Sequence, residues 1–398
     1  MKNNFARSFI IAMAYVGVVV GAGFASGQEV LQYFVAFGLE GIFGGILALV
    51  IFSITGKAIL DLGNYFLANE HNYVLEETLP KWVSKAFDVS LIISTFGIGF
   101  VMIAGAGANL NQQFGLPLLA GSILLTLLII ICGFLDVKKV TNVIGSITPF
   151  LVIFLFGISI YAIFKSDLSF NDAIPLTKQV KTTLPHWSIA GWNYVGMNIM
   201  TGFSMAIVIG GDLFNRKTAI KGGFWGGAIC GFLIILSTIA LILQVPNVAT
   251  SPMPMLELVN QANPILGIIY SIIIFGMIFN TGAGVYYSLA SRFAPTDKKK
   301  FTKILTITTF LGLGISTVGF TDLISYAYPV IGAMGMALIV ILIYLNFKYK
   351  PLFKKEDQLR NEAYVALKNG DELLLNSKIE GSATENKSKF RKKILEEK

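Results

Sequence analysis

Long apolar stretches, separated by short polar or turn-rich breaks, follow one another along most of this chain. Between Ser8 and Phe347 these stretches repeatedly reach about 20 residues, the length that an α-helix needs to cross about 30 Å of hydrocarbon. The pattern predicts about ten membrane-spanning helices, called spans 1 to 10 below. They cover residues 8–35, 39–63, 86–110, 116–135, 139–164, 189–211, 217–244, 264–292, 301–318 and 321–347.

The composition favours an all-α polytopic membrane protein over a soluble domain. Only 14% of the 398 residues are charged and 54% are hydrophobic, and the mean hydropathy is +0.69. The 40 glycines are spread through the apolar stretches, which is typical of helices that approach one another through small residues. Both cysteines, Cys132 and Cys230, lie in apolar runs, so the sequence predicts neither a disulfide framework nor a metal site.

Positive charge is distributed unequally among the predicted loops. If the N-terminus is cytoplasmic, most Lys and Arg residues fall on that side, whereas the opposite loops at 109–115 and 244–263 carry none. The sequence therefore predicts a multi-pass protein of the cell membrane with both termini in the cytoplasm. The net charge of +8 favours contact with the lipid bilayer over nucleic acid, for which no recognition motif is present.

The two ends of the chain need separate interpretation. The first residues combine basic, apolar and small-residue regions, as a signal peptide does, with Ala25-Ser26-Gly27 as a possible cleavage site. We assign them to span 1 instead, because this segment has a counterpart later in the chain. Residues 348–398 are rich in Lys, Glu, Asn and Ser and predict a flexible cytoplasmic tail, with room for a surface helix near 358–375.

The chain contains an internal repeat. When it is shifted by about 180 residues against itself, Tyr15 and Gly23 of span 1 align with Tyr194 and Gly202 of span 6. Spans 2, 3 and 5 match spans 7, 8 and 10 at nearly the same shift. A repeat of five spans is odd, so the second copy enters the membrane from the opposite side. The sequence thus predicts two inverted five-helix repeats, residues 1–165 and 189–347.

Spans 1 and 6 carry small and polar residues at mid-membrane. In span 1 the run from Gly21 to Gln28 collects poor helix formers, and the run from Asn198 to Ser204 corresponds to it in span 6. Interrupted helices at matching positions of inverted repeats indicate a transport site, because the freed backbone groups can bind a solute. We therefore predict that both spans are broken, against the alternative that their glycines only allow close packing.

This arrangement resembles the LeuT fold of the amino acid, polyamine and organocation transporter superfamily. Gly21-Ala22-Gly23-Phe24 is similar to the Gly-x-Gly-Ile/Phe segment in the unwound part of that superfamily's first helix. The run GAGFASGQE resembles the opening of an uncharacterised family of bacterial membrane proteins within the group. The resemblance covers residues 8–347 and implies alternating access, coupling to Na⁺ or H⁺, and solute binding by spans 1, 3, 6 and 8.

The resemblance also implies candidate site residues. Those for the solute are Ala22, Gly23, Phe24, Ser26, Thr201, Gly202, Phe203 and Ser204, with Phe24 and Phe203 as aromatic covers. A sodium site is implied at the carbonyls of Val20 and Gly23 and the side chains of Asn280 and Thr281. Span 8 departs from the family pattern, since it lacks a Ser/Thr pair at the usual sodium-ligand position.

Glu29 is the acidic residue that we expect within the membrane. An ionisable group at that depth is costly, which favours a functional role, and coupling to a proton is the first hypothesis. The alternative is a carboxylate in a water-filled vestibule, or one favoured by the dipole of the outer half-helix.

Together these features predict an ion-coupled secondary transporter of a small solute, an amino acid or a similar zwitterion. The sequence has no Gly-x-x-x-x-Gly-Lys-Ser/Thr segment for ATP and no nucleophile and base set, so we expect neither an enzyme nor a cofactor. The alternatives are transport of a divalent metal or another cation, and a sensor or channel built on a transporter fold.

Overall fold

The structure, a computed structural model, describes residues 4–134, 148–294, 297–384 and 386–396, and within these ranges its regular elements are helices. The predicted end of span 4 and start of span 5, at 135–147, lie outside the described residues. The α-helices are α1 (Asn4–Val19), α2 (Ala22–Ser26), α3 (Gln28–Tyr33), α4 (Leu39–Phe66), α5 (His71–Thr78), α6 (Lys81–Phe114), α7 (Leu118–Phe134), α8 (Thr148–Phe164), α9 (Phe170–Leu176), α10 (Trp187–Gly211), α11 (Arg216–Leu243), α12 (Val245–Val248), α13 (Pro254–Ala262), α14 (Pro264–Phe293), α15 (Lys298–Ser316), α16 (Phe320–Asn369), α17 (Glu372–Gly381) and α18 (Lys387–Glu396).

The predicted spans correspond to helices of the structure. Among the described residues, six helices are long and apolar enough to cross a membrane, namely α4, α6, α10, α11, α14 and α16. The shorter apolar helices α1, α7 and α8 occupy spans 1, 4 and 5, and α15 occupies span 9. The predicted class of an all-α polytopic membrane protein is therefore confirmed.

Span 1 is broken, as the sequence predicts. α1 ends at Val19, and Gly21 has an extended backbone, with φ −91° and ψ −174°, before α2 begins. A second interruption follows at Gly27, whose φ of 83° lies in the left-handed region that favours glycine. The run of small residues therefore divides this span into three short helices.

Span 6 is not broken, and the prediction of a second interrupted helix was wrong. α10 is continuous from Trp187 to Gly211. The polar side chains bond to their own helix, because Asn198 donates to the Tyr194 carbonyl at 3.0 Å and Thr201 donates to the Asn198 carbonyl at 2.9 Å. Gly202 serves packing, since a Cβ there would lie 2.6 Å from Cγ1 of Val18 in α1.

Glycines bring α1, α4, α10 and α11 into one closely packed set, called the first group. A Cβ at Gly227 of α11 would lie 2.2 Å from the Phe52 carbonyl oxygen of α4. One at Gly210 of α10 would lie 2.5 Å from the Leu60 oxygen of the same helix α4. These contacts leave no room for a side chain, which agrees with packing through small residues in a membrane.

A second group contains α6, α7, α14 and α15. A Cβ at Gly121 of α7 would lie 2.7 Å from the Ala106 carbonyl oxygen of α6. Tyr286 of α14 lies against Gly99 of α6 and Gly312 of α15. Each group therefore takes helices from both predicted repeats, and α16 packs against both α10 and α6.

The chain after Phe347 is helical, whereas composition favoured a flexible tail. α16 continues to Asn369, and α17 and α18 follow it. The apolar residues of these helices are few but share a common core with the end of α4, formed by Leu67, Ala363, Ala366, Leu375, Ile379, Phe390 and Ile394. Composition missed this because the tail buries its apolar surface against the rest of the protein rather than by itself.

Replacing Gly227 by Ala should lower the free energy of unfolding by about 1–3 kcal/mol, because the new methyl group collides with the backbone of α4. Gly314→Ala is the matched control, because no described atom lies within 4 Å of a Cβ there. Because alanine has a higher helix propensity than glycine, this control variant should have an equal or higher free energy of unfolding. Thermal unfolding of the purified proteins tests this, and equal midpoints for the two variants would contradict the packing analysis.

Candidate functional site

Glu29 lies where the broken span 1 meets span 6. Its side chain belongs to the first turn of α3 and is buried, with 5% of the residue exposed. The Tyr194 hydroxyl of α10 donates to Glu29 Oε2 at 3.0 Å. A Cβ at Gly23 would lie 1.7 Å from Glu29 Oε1, so only glycine leaves room for the carboxylate. The two interruptions of span 1 thus fold α3 back so that its acid lies on α2.

Aromatic side chains enclose this acid. The Tyr194 ring packs edge to face against Tyr33 and Phe34, with ring centroids 5.3 and 5.2 Å apart. The Tyr33 hydroxyl donates to Asn193 Oδ1 at 3.3 Å, and Asn193 Nδ2 donates to the Pro329 carbonyl at 2.9 Å. A chain of hydrogen bonds and ring contacts therefore connects α3, α10 and α16 around the acid.

No basic side chain pairs with Glu29 among the described residues, and its described hydrogen bond is the one from Tyr194. Ionising a buried carboxylate without a cationic partner costs much free energy. The site therefore discriminates strongly between the charged and the neutral form of this side chain.

The break itself presents backbone groups. In the described structure the Val20 carbonyl accepts no backbone hydrogen bond, while the Gly23 carbonyl accepts from Ser26 Oγ at 2.6 Å. The Ala25 carbonyl accepts from the Tyr270 hydroxyl of α14 at 2.6 Å. The short helix α2 is thus held by side chains from its own turn and from the second group, and the Val20 carbonyl is left for another partner.

Packing differs on the two sides of the break. On one side α13 covers it, because a Cβ at Gly27 would lie 2.8 Å from Cγ of Met255. Gln112 of α6 holds this cover by accepting from the Met253 amide at 2.9 Å. On the other side, no described atom lies within 4 Å of a Cβ at Gly21 or Gly284. α13 therefore covers the break at Gly27, whereas Gly21 has space beside it; the side of the protein where the chain begins is called the terminal side below.

The predicted solute residues fall into two sets. On span 1 they are all buried at the break: Ala22, Gly23, Phe24 and Ser26. On span 6, Thr201 is exposed and Ser204 partly buried, so these two face outward from the first group.

Phe203 is buried, and its ring lies 6.0 Å from the ring of His71 rather than beside Phe24. Burial, followed by the positive charge of Arg292, lowers the pKa of His71 to about 4. Its imidazole is therefore neutral at physiological pH. Phe203 thus belongs to a contact between α10 and α5.

The residues predicted to bind the coupling ion also lie in two different places. Glu29 and Gly23 are in contact, as described above. Asn280 and Thr281 of α14 are half-buried, and neither side chain has a hydrogen-bond partner among the described residues. Their helix packs against α2, but the described contact between the two helices is made by Tyr270, and none joins Asn280 or Thr281 to the Val20 carbonyl. The described residues contain no group of three His, Cys, Asp or Glu side chains that could hold a metal ion.

Sequence reasoning missed Tyr194, Tyr33 and Asn193 as members of the site. Tyr194 entered the sequence comparison only as the repeat partner of Tyr15. A usable signal was present, because a tyrosine at membrane depth needs a hydrogen-bond partner and Glu29 is the acid available there.

Comparison with known protein families gives no match. Among curated proteins, the chain is similar to the uncharacterized membrane protein YkvI of Bacillus subtilis (strain 168), with 26% identity over 346 residues, 86% of this chain and 97% of the relative. Among solved structures it is similar to the inward-facing conformation of Mhp1, with a TM-score of 0.57, 14% identity, and coverage of 86% of this chain and 77% of that one.

A second Mhp1 structure also matches. It is the closed conformation of this nucleobase-cation-symport-1 family transporter with bromovinylhydantoin bound, and the TM-score is 0.50 with 13% identity over 98% of this chain and 93% of that one. The chain is therefore a multi-pass membrane protein with the fold of the LeuT-like secondary transporters. At this level of identity the likeness concerns the fold.

Tyr194→Phe should remove the described hydrogen bond of Glu29 and lower the free energy of unfolding by about 1–3 kcal/mol. It should also shift the carboxyl stretching band that Glu29→Gln abolishes in the infrared spectrum. Tyr326→Phe, which changes an exposed tyrosine, is the control and should leave the band in place. A band that is unaltered in Tyr194→Phe would contradict the assigned contact.

Proposed function

We propose that this protein is a secondary active transporter that couples the movement of a small solute to protons through Glu29, by alternating access. The observation that carries the proposal is the buried Glu29 carboxyl, held by Tyr194 across spans 1 and 6 without a described basic partner. A buried acid at a helix break inside a membrane protein is expensive, and such groups mark ion pathways.

The surroundings of Glu29 favour a proton over a metal cation as its ligand. Its described hydrogen-bond partner is the Tyr194 hydroxyl, the rings of Tyr33 and Phe34 pack on Tyr194, and no group of three His, Cys, Asp or Glu side chains is described. A proton needs only the carboxylate itself. Protonation would remove the charge, and with it the cost of burial, so the acid can be buried when neutral and exposed when ionised.

Sodium coupling is the second candidate, at a different place in the site. The Val20 carbonyl and the side chains of Asn280 and Thr281, for which no hydrogen bond to another described residue is found, are the oxygen ligands that support it. They lie on α14 and on the break of span 1, as the family resemblance implied. The proton and sodium hypotheses thus predict sensitivity to different side chains.

The packing asymmetry supports alternating access. α13 covers the break at Gly27, no described atom lies within 4 Å of a Cβ at Gly21, and two closely packed helix groups are present. Relative movement of such groups could expose the break first to one side and then to the other. The similarity to an inward-facing and a closed conformation of one transporter fits this picture.

An amino acid or a similar zwitterion is the solute class that we favour. Its carboxylate would meet backbone N–H groups at the break of span 1, and its amine would meet the Val20 carbonyl. The predicted solute and ion segments of spans 1 and 8 carry small or neutral residues, such as Gly21, Thr281 and Gly284. The proposed site therefore recognises the backbone of a zwitterion more strongly than its side chain.

Glu29→Gln tests the coupling role in proteoliposomes that carry an imposed pH or sodium gradient and are offered a panel of radiolabelled amino acids. We expect proton-driven uptake to fall at least about tenfold, because glutamine cannot release a proton. Glu40→Gln is the matched control, since Glu40 is exposed in the first turn of α4. Proton-driven uptake that survives in Glu29→Gln would remove the coupling role of this acid.

The sodium hypothesis is tested in the same vesicles with Asn280→Ala and Thr281→Ala. If sodium is the coupling ion, these variants should raise the sodium concentration needed for half-maximal uptake, while Glu29→Gln should not. If a proton is the coupling ion, Glu29→Gln should reduce proton-driven uptake, while Asn280→Ala and Thr281→Ala should not. Uptake of no amino acid under either gradient would remove the zwitterion as the solute class.

A further inference from the structure

The end of α16 from residue 354 onward, together with α17 and α18, forms a compact unit on the terminal side of the protein. It is called the C-terminal unit below. Its core contains Leu67, which ends α4 and has the one positive φ, 46°, among the described residues other than glycine. That backbone conformation is disfavoured for leucine, so the surrounding contacts must hold it. Phe390 of α18 is fully buried beside it and packs edge to face on Phe214, with ring centroids 5.2 Å apart.

Arg360 of α16 is the polar centre of this unit. Only 3% of the residue is exposed, and its guanidinium donates to Asn64 Oδ1 at 3.0 Å and to the carbonyls of Asn64, Tyr65 and Phe214 at 2.8, 3.0 and 3.2 Å. The same group lies 5.5 Å from the centroid of the Phe214 ring. One side chain therefore joins the end of α4 to the segment between α10 and α11.

Glu356 completes the charge balance around Arg360. Arg360 Nε donates to Glu356 Oε1 at 3.0 Å, and both residues are buried. Glu356 also accepts from the Ser382 hydroxyl at 2.5 Å and from the Ala383 amide at 3.1 Å, after α17. A buried ion pair with this many partners fixes one arrangement, because removal of either member leaves a buried charge. It anchors the last two helices to α16.

Lys389 connects the same unit to the segment between the two helix groups. Its Nζ donates to the Ala68 carbonyl at 3.2 Å and to Asn69 Oδ1 at 2.9 Å, and it pairs with Asp212 Oδ1 at 3.3 Å. Ala68 and Asn69 belong to the linker, residues 67–80, that runs from α4 of the first group through α5 to α6 of the second group. Any relative movement of the two groups must be accommodated by this linker.

We propose that the C-terminal unit is a docked brake on the conformational cycle. Through its packing on Leu67 and through Lys389 it holds the linker, through Arg360 it holds the end of α4 before the linker, and it so restrains the movement of the first helix group against the second. The inference rests on the proposed alternating access for its meaning in transport. The restraint itself does not depend on transport, because it concerns only the contacts between the C-terminal unit and the linker. Release of the unit should make the linker mobile and allow a second arrangement of the two groups to become populated.

Two variants release the unit in different ways. Arg360→Ala removes five described hydrogen bonds and leaves Glu356 buried without its cation. Lys389→Ala removes only the contacts to the linker and to Asp212. Lys392→Ala is the matched control, since it makes the same change in charge on the same helix at an exposed position.

The test uses the full-length protein in lipid nanodiscs and two measurements. Hydrogen exchange at the amides of 67–69 should become about tenfold faster in Lys389→Ala and at least as fast in Arg360→Ala, with no change in Lys392→Ala. Spin labels at positions Met205 of α10, which is 61% exposed, and Ser288 of α14 report the separation of the two groups in a background without Cys132 and Cys230. We expect a single dominant distance in the parent and a second population in both release variants.

Two outcomes would contradict the proposal that the C-terminal unit is a brake. Unchanged exchange at 67–69 in both variants would show that the unit does not hold the linker. Faster exchange with an unaltered distance distribution would show that the unit is only a structural extension of α16. Neither measurement involves a solute or an ion gradient, so a failed uptake experiment with Glu29→Gln leaves this test valid, and the reverse also holds.

Discussion

The need to pair every backbone N–H and carbonyl group inside hydrocarbon is the constraint on which this structure depends. The chain meets it with helices, and glycines let these helices approach until backbone touches backbone. Span 1 is the conspicuous departure, since its backbone is interrupted at Gly21 and again at Gly27. Such a departure is tolerated only because protein surrounds it: α13 covers it, Tyr270 bonds to it, and the other helices of the first group enclose it.

The position of the acid follows from the same interruption. Because α2 and α3 are short and turn at a glycine, Glu29 comes to lie on Gly23 of its own span and opposite Tyr194 of span 6. The small residues of span 1 therefore serve two purposes, to break the helix and to make room for a carboxylate. The small residues of span 6 serve packing instead, so similar sequence patterns in the two predicted repeats form one broken and one continuous helix.

The two helix groups are each held by contacts too close to loosen gradually, so the places that can change are the surfaces between them and the linkers that join them. On the α13 side, the surface is closed by Met255 and Gln112. On the terminal side, the linker from α4 to α6 lies under the C-terminal unit. The cover by α13 and the proposed restraint by the C-terminal unit thus act on opposite sides of the same break.

The sequence by itself determined the features that arise from local composition: the helical spans, the break at Gly21 and the presence of one acid, Glu29, in the apolar first span. Each depends on hydropathy, helix propensity or the cost of a charge, which are properties of short segments. Only the tertiary structure decided that Asn198 and Thr201 bond to their own helix, that Gly202 meets Val18, that Tyr194 binds Glu29, and that Leu67 is covered by the tail. These depend on which segments lie side by side, and residues far apart in the chain, such as Asn64 and Arg360, give no local sign of their contact.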